Sequence, residues 1–229
     1  MARMVKLVLF DIDGTLIRTG GAGVRAFADA LRSEFNVPNA TDGMTFAGRT
    51  DTGILRELFS RGGVEATPEN YDRFFTVYAH WLAQRLTHTR GEICPAIPSL
   101  LSDMGRLRRP PMLGLLTGNI RLGAEIKLRH FQLWEHFETG AFGDDHEDRN
   151  QIAATAKDRA AELLGTALRG DEVLVVGDTP LDIECARAIG AKVVAVATGG
   201  FKSRELGPHK PDWLAGTAAE IDAREVCGQ

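Results

Sequence analysis

The chain has 229 residues, 44% hydrophobic and 25% charged, with a formal net charge of −4. That mixture is typical of a water-soluble fold with a sizeable core, and the acidic balance argues against nucleic acid or an anionic membrane as partner. Three scattered cysteines, Cys94, Cys185 and Cys227, form no CxxC pair or Cys/His cluster, so zinc is not indicated and free thiols in a reducing cytoplasm are expected.

In chain order, the first element is an apolar run, VKLVLF, that breaks at Asp11. It is too short for a signal-peptide core or a membrane span of about 20 apolar residues, and its branched residues suit a buried parallel strand. From 19 to 89 the pattern turns helical. Ala22 to Phe35 has apolar residues at helical spacing, Thr50 to Gly63 opens on a capping residue and closes on glycines, and Thr67-Pro68 starts a helix reaching about Thr87. A core segment resumes near Gly91. Pro95 and Pro98 lead into a helix through Leu107, and strand runs recur at Met112 to Thr117, Glu172 to Gly177 and Lys192 to Thr198. Helices are expected over Ile120 to Phe137 and Asp148 to Leu164, with a short strand near Asp212 to Leu214. Repeated strand-then-helix units predict an α/β fold, a Rossmann-like parallel sheet with helices on both faces. The expected division is a core of 1–18 and 90–229 with an all-helical cap of 19–89 inserted after the first strand.

Ligands of such sheets collect at the carboxyl ends of the strands. Three strands end in polar residues: Asp11-Ile12-Asp13-Gly14-Thr15, Thr117-Gly118-Asn119, and Gly177-Asp178-Thr179 with Asp182 four residues after Asp178. Asp11 stands where a last strand residue presents its carboxylate to a ligand, and Asp13 projects to the same side across a tight turn. Gly14 permits close backbone approach, and exposed N–H groups in such a turn form an anion nest suited to phosphate. A carboxylate is a weak nucleophile that a phosphate dianion repels, and a divalent cation bridging the two removes that difficulty. Magnesium takes oxygen ligands, which makes Asp178 the natural second carboxylate, with Asp182 either a ligand or a support.

Together DIDGTL, LLTGN and VVGDTPLDIECARAIGA resemble the first, second and fourth motifs of the haloacid dehalogenase superfamily, over a span from Val5 to about Gly200. The resemblance implies a Mg²⁺-dependent phosphatase in which Asp11 forms an aspartyl-phosphate. Asp13 then serves as general acid and base and lends its backbone carbonyl to the metal. It further implies that Thr117 binds the transferring phosphoryl group, with Ile12, Gly14, Thr15, Gly118 and Asn119 around it, and that Asp178 and Asp182 complete the metal site. The family's third motif supplies a Lys or Arg. Arg149, opening a helix between the second and fourth motifs, is the first choice and Lys157 the fallback.

A helical cap after the first motif is the pattern of the phosphoglycolate-phosphatase-like and phosphoglucomutase-like branch, where a cap excludes water and chooses the leaving group. Arg18 to Gly21 would form its hinge. Arg49 either binds a substrate carboxylate or second phosphate, or is solvated while Thr50 or Asp51 caps a helix. Phe74, Phe75, Tyr78 and Trp81 read as cap core, and Asp144, Asp145, Glu147 and Asp148 as loop solvation and helix-start charge. A dehalogenase lacks the aspartate at the position of Asp13, and a phosphonatase replaces it with a small residue. A phosphomutase and a catalytically idle binding protein stay open. The expected ligand is a small phosphorylated metabolite, phosphoglycolate-like or a sugar phosphate, and the expected assembly a monomer or homodimer.

Overall fold

The structure is a computed structural model and describes residues 4–229. Six parallel strands form its sheet: β1 (Leu7–Phe10), β4 (Met112–Leu116), β5 (Thr139–Ala141), β6 (Val173–Gly177), β7 (Lys192–Val196) and β8 (Trp213–Ala215). Their spatial order is β5-β4-β1-β6-β7-β8. Central β1 pairs Leu9 with Gly114 of β4 on one side and with Val175 of β6 on the other. The chain builds β4 and β5 on one side of β1 and then returns to build β6, β7 and β8 on the other. That reversal opens a crevice at the carboxyl ends of the central strands.

The continuous apolar run of β1 follows from its position, since both of its faces are covered. Leu7 and Leu9 point into a cluster with Ile152, Ala156 and Ile183, while Val8 and Phe10 point into one with Leu101, Met104 and Leu128. Helices α4 (Ile97–Gly105), α5 (Arg121–His130), α6 (Arg149–Leu164) and α7 (Pro180–Ala188) supply those residues, and the short α8 (Ser203–Leu206) and α9 (Ala223–Cys227) close the chain.

A third apolar cluster is built by α1 (Ala22–Phe35), α2 (Asp51–Gly62) and α3 (Pro68–His88). Phe27, Phe59, Phe74 and Tyr78 are fully buried in it, with Phe74 and Tyr78 stacked at 6.0 Å. These helices begin and end where side-chain chemistry dictates. The Thr50 hydroxyl accepts from the N–H of Gly53 and the Thr67 hydroxyl from that of Asn70, while Gly63 ends α2 at φ 68°. The chain enters and leaves this lobe through a two-stranded antiparallel ribbon, β2 (Ile17–Arg18) with β3 (Glu92–Ile93).

Two expectations are corrected, and some strands go unexpected. The single helix expected over Ile120 to Phe137 stops at His130, because Gln132 adopts a left-handed φ of 59°, and a short 3-10 turn over Trp134–His136 follows. The helix expected to run through Leu107 spans Ile97–Gly105 and ends two residues earlier. Strand β5 and the β2–β3 ribbon carry too few apolar residues to be read in advance.

Candidate active site

The residues after β1 form a tight turn in which the Ile12 carbonyl accepts from the N–H groups of Leu16 and Ile17 at 2.9 and 3.1 Å. Gly14 sits at φ 92° within that turn, and a Cβ there would lie 2.5 Å from Oδ2 of Asp178. Glycine is therefore required twice, for the backbone angle and for the approach of the neighbouring strand end. The Thr15 hydroxyl donates to Oδ1 of Asp178 at 3.1 Å.

Asp11, Asp13, Thr117, Asn119, Arg149 and Asp178 all line one cavity of about 410 Å³, as do Gly14, Gly118 and Arg49. Ile12, Thr15 and Asp182 stand behind that lining and brace it. Asp11 is buried, and its Oδ1 accepts from Nη2 of Arg149 at 2.9 Å. The same nitrogen donates to Oδ1 of Asp182. Oδ2 of Asp182 accepts from the N–H and hydroxyl of Thr179 at 2.9 and 2.8 Å, a capping box at the start of α7. Both oxygens of Asp182 are thus engaged, and its visible task is to aim Arg149. Lys157, the alternative cation, lies further along α6, half-buried and outside the cavity.

One oxygen each from Asp11, Asp178 and Asp182 lie within 4.8 Å of one another. Burial raises Asp11 to about 7, with Arg149 pulling it down and Asp182 pushing it up. Burial also raises Asp178, to about 9, reinforced by Asp11 and Asp182. Two buried carboxylates that resist ionisation beside each other are what a hard divalent cation with oxygen ligands relieves, so the donor set fits Mg²⁺.

Asp13 is more open, with its side chain 41% exposed. Its Oδ2 accepts from Nζ of Lys127 at 2.6 Å and from Nδ2 of Asn119 at 2.9 Å. Asn119 in turn donates to Oγ1 of Thr117 at 2.8 Å and accepts from Lys127 at 2.5 Å. Lys127 was not foreseen as a site residue. Its only advance signal is its place with Gly123, Ala124 and Leu128 on the buried face of α5, where an unpaired lysine is seldom tolerated.

The loop before α2 meets these strand ends closely. The Asp51 N–H donates to the Gly118 carbonyl at 2.7 Å, and the Ile120 N–H donates to Oδ2 of Asp51 at 2.9 Å. Nη1 of Arg149 reaches the Gly48 carbonyl at 3.2 Å. Asp51, also not foreseen, is pushed by burial up to about 7, with Lys127 acting against that rise. Arg49 lines the cavity, but its guanidinium is turned to Glu57 at 2.8 Å and to the Thr45 carbonyl at 3.4 Å. The solvated-arginine alternative is closer to this geometry, with Thr50 as the helix cap. The acidic loop has structural partners: Asp145 pairs with Arg159, Glu147 with Arg56, and Asp148 caps α6.

A doubly wound parallel sheet with clustered carboxylates and an anion-suited turn at its strand tips is an α/β fold built to hold a ligand at the carboxyl ends of its strands. The chain belongs to the haloacid dehalogenase-like hydrolase family, whose model matches residues 8–196. Within it the chain falls on the phosphoglycolate-phosphatase-like side and is a phosphatase. It is 30% identical to the phosphoglycolate phosphatase of Synechococcus elongatus over 228 residues, 95% of each chain. It is 25% identical to the pyrophosphatase PpaX of Bacillus cereus over 220 residues, 95% of this chain and 94% of that one. CbbY from Rhodobacter sphaeroides, solved in complex with phosphate, shares its fold at a TM-score of 0.76 and 18% identity, covering 99% of this chain and all, 100%, of the other. Among the described residues no helix is long and apolar enough to cross a membrane.

Proposed function

We propose that the protein is a Mg²⁺-dependent phosphomonoesterase of the cytoplasm that acts on a small phosphorylated metabolite, of phosphoglycolate or sugar-phosphate size, through an aspartyl-phosphate on Asp11. The observation that carries this reading is the placement of Asp11 against Arg149 and Asp178, with Asp13 in the same cavity. Asp11, Asp178 and the main-chain carbonyl of Asp13 would hold the metal, which when bound screens the nucleophile from the charge of the phosphate.

The protein's own groups account for the remaining steps. A carboxylate oxygen of Asp11 attacks phosphorus while Asp13 gives a proton to the departing ester oxygen. Asp13 then takes a proton from the water that opens the acyl phosphate, releasing phosphate and regenerating Asp11. Oδ2 of Asp13 is held by Lys127 and Asn119, which leaves Oδ1 to carry that proton. The Thr117 hydroxyl, which accepts from Nδ2 of Asn119, would bond the phosphoryl oxygens. Arg149 balances the charge of Asp11 before and after transfer. The helices α1 to α3 act as a cap over the cavity, which Phe27, Phe46 and Tyr78 line from that side.

The test is hydrolysis of p-nitrophenyl phosphate and a panel of phosphorylated metabolites. Activity with Mg²⁺, loss with EDTA and recovery on adding the metal back are expected. Asp11→Asn abolishes turnover without unfolding. Activity near wild type in that variant would overturn the role of Asp11.

A further inference from the structure

Lys127 has no part in attack or in charge balance at Asp11, yet its ammonium is built into the cavity wall. Its side chain is 5% exposed. Two of its three N–H donors go to Asp13 and Asn119, and the third has no acceptor among the described residues. Across from it stands the first turn of α1. A Cβ at Gly23 would lie 3.6 Å from Nζ of Lys127 and 3.7 Å from its Cε, so the glycine keeps that side of the ammonium clear.

The start of α1 is itself electropositive and unblocked. It has no side-chain cap at Gly21 and no acidic residue in its first turn. Gly20, Gly21, Gly23 and Val24 line the cavity, and the N–H groups of Gly23 and Val24 have no hydrogen-bond acceptor among the described residues. Buried ammonium and open helix terminus therefore converge on the side of the cavity served by Asp13, where the leaving oxygen departs. The other cations of the cavity are, like Lys127, paired, but away from the first turn of α1: Arg149 with Asp11 and Asp182, Arg49 with Glu57, and Arg18 with Glu92 and the Thr198 carbonyl.

We infer that Lys127 and the first turn of α1 bind an anionic group carried by the leaving portion of the substrate, close to its ester oxygen. The enzyme then selects phosphorylated compounds whose leaving group is itself negatively charged, a phosphorylated hydroxy acid or a diphosphate, and Lys127 is the specificity-determining residue. This inference rests on the phosphatase reading above.

The experiment compares kcat/KM for 2-phosphoglycolate, inorganic pyrophosphate and ethyl phosphate, with Mg²⁺ present. The wild type prefers at least one anionic-leaving-group substrate over ethyl phosphate by about ten- to a hundredfold, the range of a charge-assisted hydrogen bond. Which of the two is preferred separates carboxylate from phosphate as the recognised group. In Lys127→Met the preference falls to near unity. Gly23→Asp, which sets a carboxylate beside the ammonium without removing the lysine, also abolishes the preference and serves if Lys127→Met does not fold. A wild type without preference overturns the inference, as does an equal loss on all three substrates in Lys127→Met, the result if the lysine only holds Asp13. Calorimetric titration of Asp11→Asn with 2-phosphoglycolate, pyrophosphate and ethyl phosphate reads the same preference without turnover. Selective binding by a protein that hydrolyses nothing would keep the subsite and reject the phosphatase reading; equal binding of all three would reject the subsite.

Discussion

One nitrogen of Arg149, Nη2, serves Asp11 at 2.9 Å and Asp182 at the same time. Because all three groups are buried, the arginine is the charge that makes two acids tolerable in the interior. Burial alone would lower Arg149, but Asp182 and Asp11 more than offset that and hold it well above its ordinary value. Arg149→Met is expected to cost about 3–5 kcal/mol of stability near neutral pH, the usual result of stranding buried charge. The cost should shrink at pH 5, where Asp11, raised to about 7 chiefly by burial, carries its proton. Denaturant unfolding at both pH values checks this, and an equal cost at each would contradict it.

The pH dependence of the metal-free protein follows from Asp11 and Asp178, raised to about 7 and about 9 chiefly by burial. With folded values above the ordinary 3.8, the folded state keeps protons that the unfolded chain has lost. Stability is thus full at low pH and falls as pH rises through those values. The melting temperature in EDTA should drop from pH 5 to pH 8. Mg²⁺ should flatten that slope, raising Tm more at pH 8 than at pH 5. A Tm in EDTA that does not change over this range would contradict the cation site.

Asp51 offers a separate case, since its raised value of about 7 comes first from burial and its Oδ2 holds the Ile120 N–H. Asp51→Asn keeps an acceptor and removes the ionisable group. The stability difference should therefore move in favour of the variant between pH 5 and pH 8.5. Asp51→Ala leaves the Ile120 N–H unpaired and should be about 1–3 kcal/mol less stable than Asp51→Asn at both pH values. Thermal unfolding of the two variants side by side distinguishes these outcomes.

At Gly118, an added Cβ would run into the main-chain carbonyl of Arg49 and lie 3.0 Å from Cα of Thr50. Both obstacles are backbone, which cannot swing aside as a side chain can. Gly118→Ala should hold the start of α2 away from the end of β4 and raise KM about tenfold or more, as loss of substrate positioning does. Circular dichroism should show the helices and sheet retained. Unchanged kinetics would mean that this approach does not matter to catalysis.

The strand tips were legible in the sequence because their chemistry is local: Asp11, Asp13 and Gly14 follow one strand, Thr117 and Asn119 another, Asp178 a third. The parallel sheet was legible for a related reason, since strands buried on both faces are written as unbroken apolar runs. Lys127 and Asp51 were not, because each reaches the cavity from a helix whose rotation and tilt are set by tertiary packing. Arg49 stayed open between a substrate contact and a solvated residue beside a helix cap, because its loop carries no sign of Glu57, eight residues on, which pairs with its guanidinium. Strand β5 stayed hidden because three residues, one of them glycine, carry no periodic signal.

The ribbon that pairs Ile17 with Ile93 and Arg18 with Glu92 brings the way into the helical lobe and the way out of it side by side. A lobe whose chain enters and leaves at one doorway can be lengthened, shortened or exchanged without re-routing the strands behind it, as if one tool were swapped on a fixed handle, provided that the contacts of Gly48 and Asp51 with Arg149, Gly118 and Ile120 are kept. Natural selection thus has a route to new substrates that leaves the reacting carboxylates where they are. A laboratory has the same route, by joining Arg18 to Glu92 with a short turn.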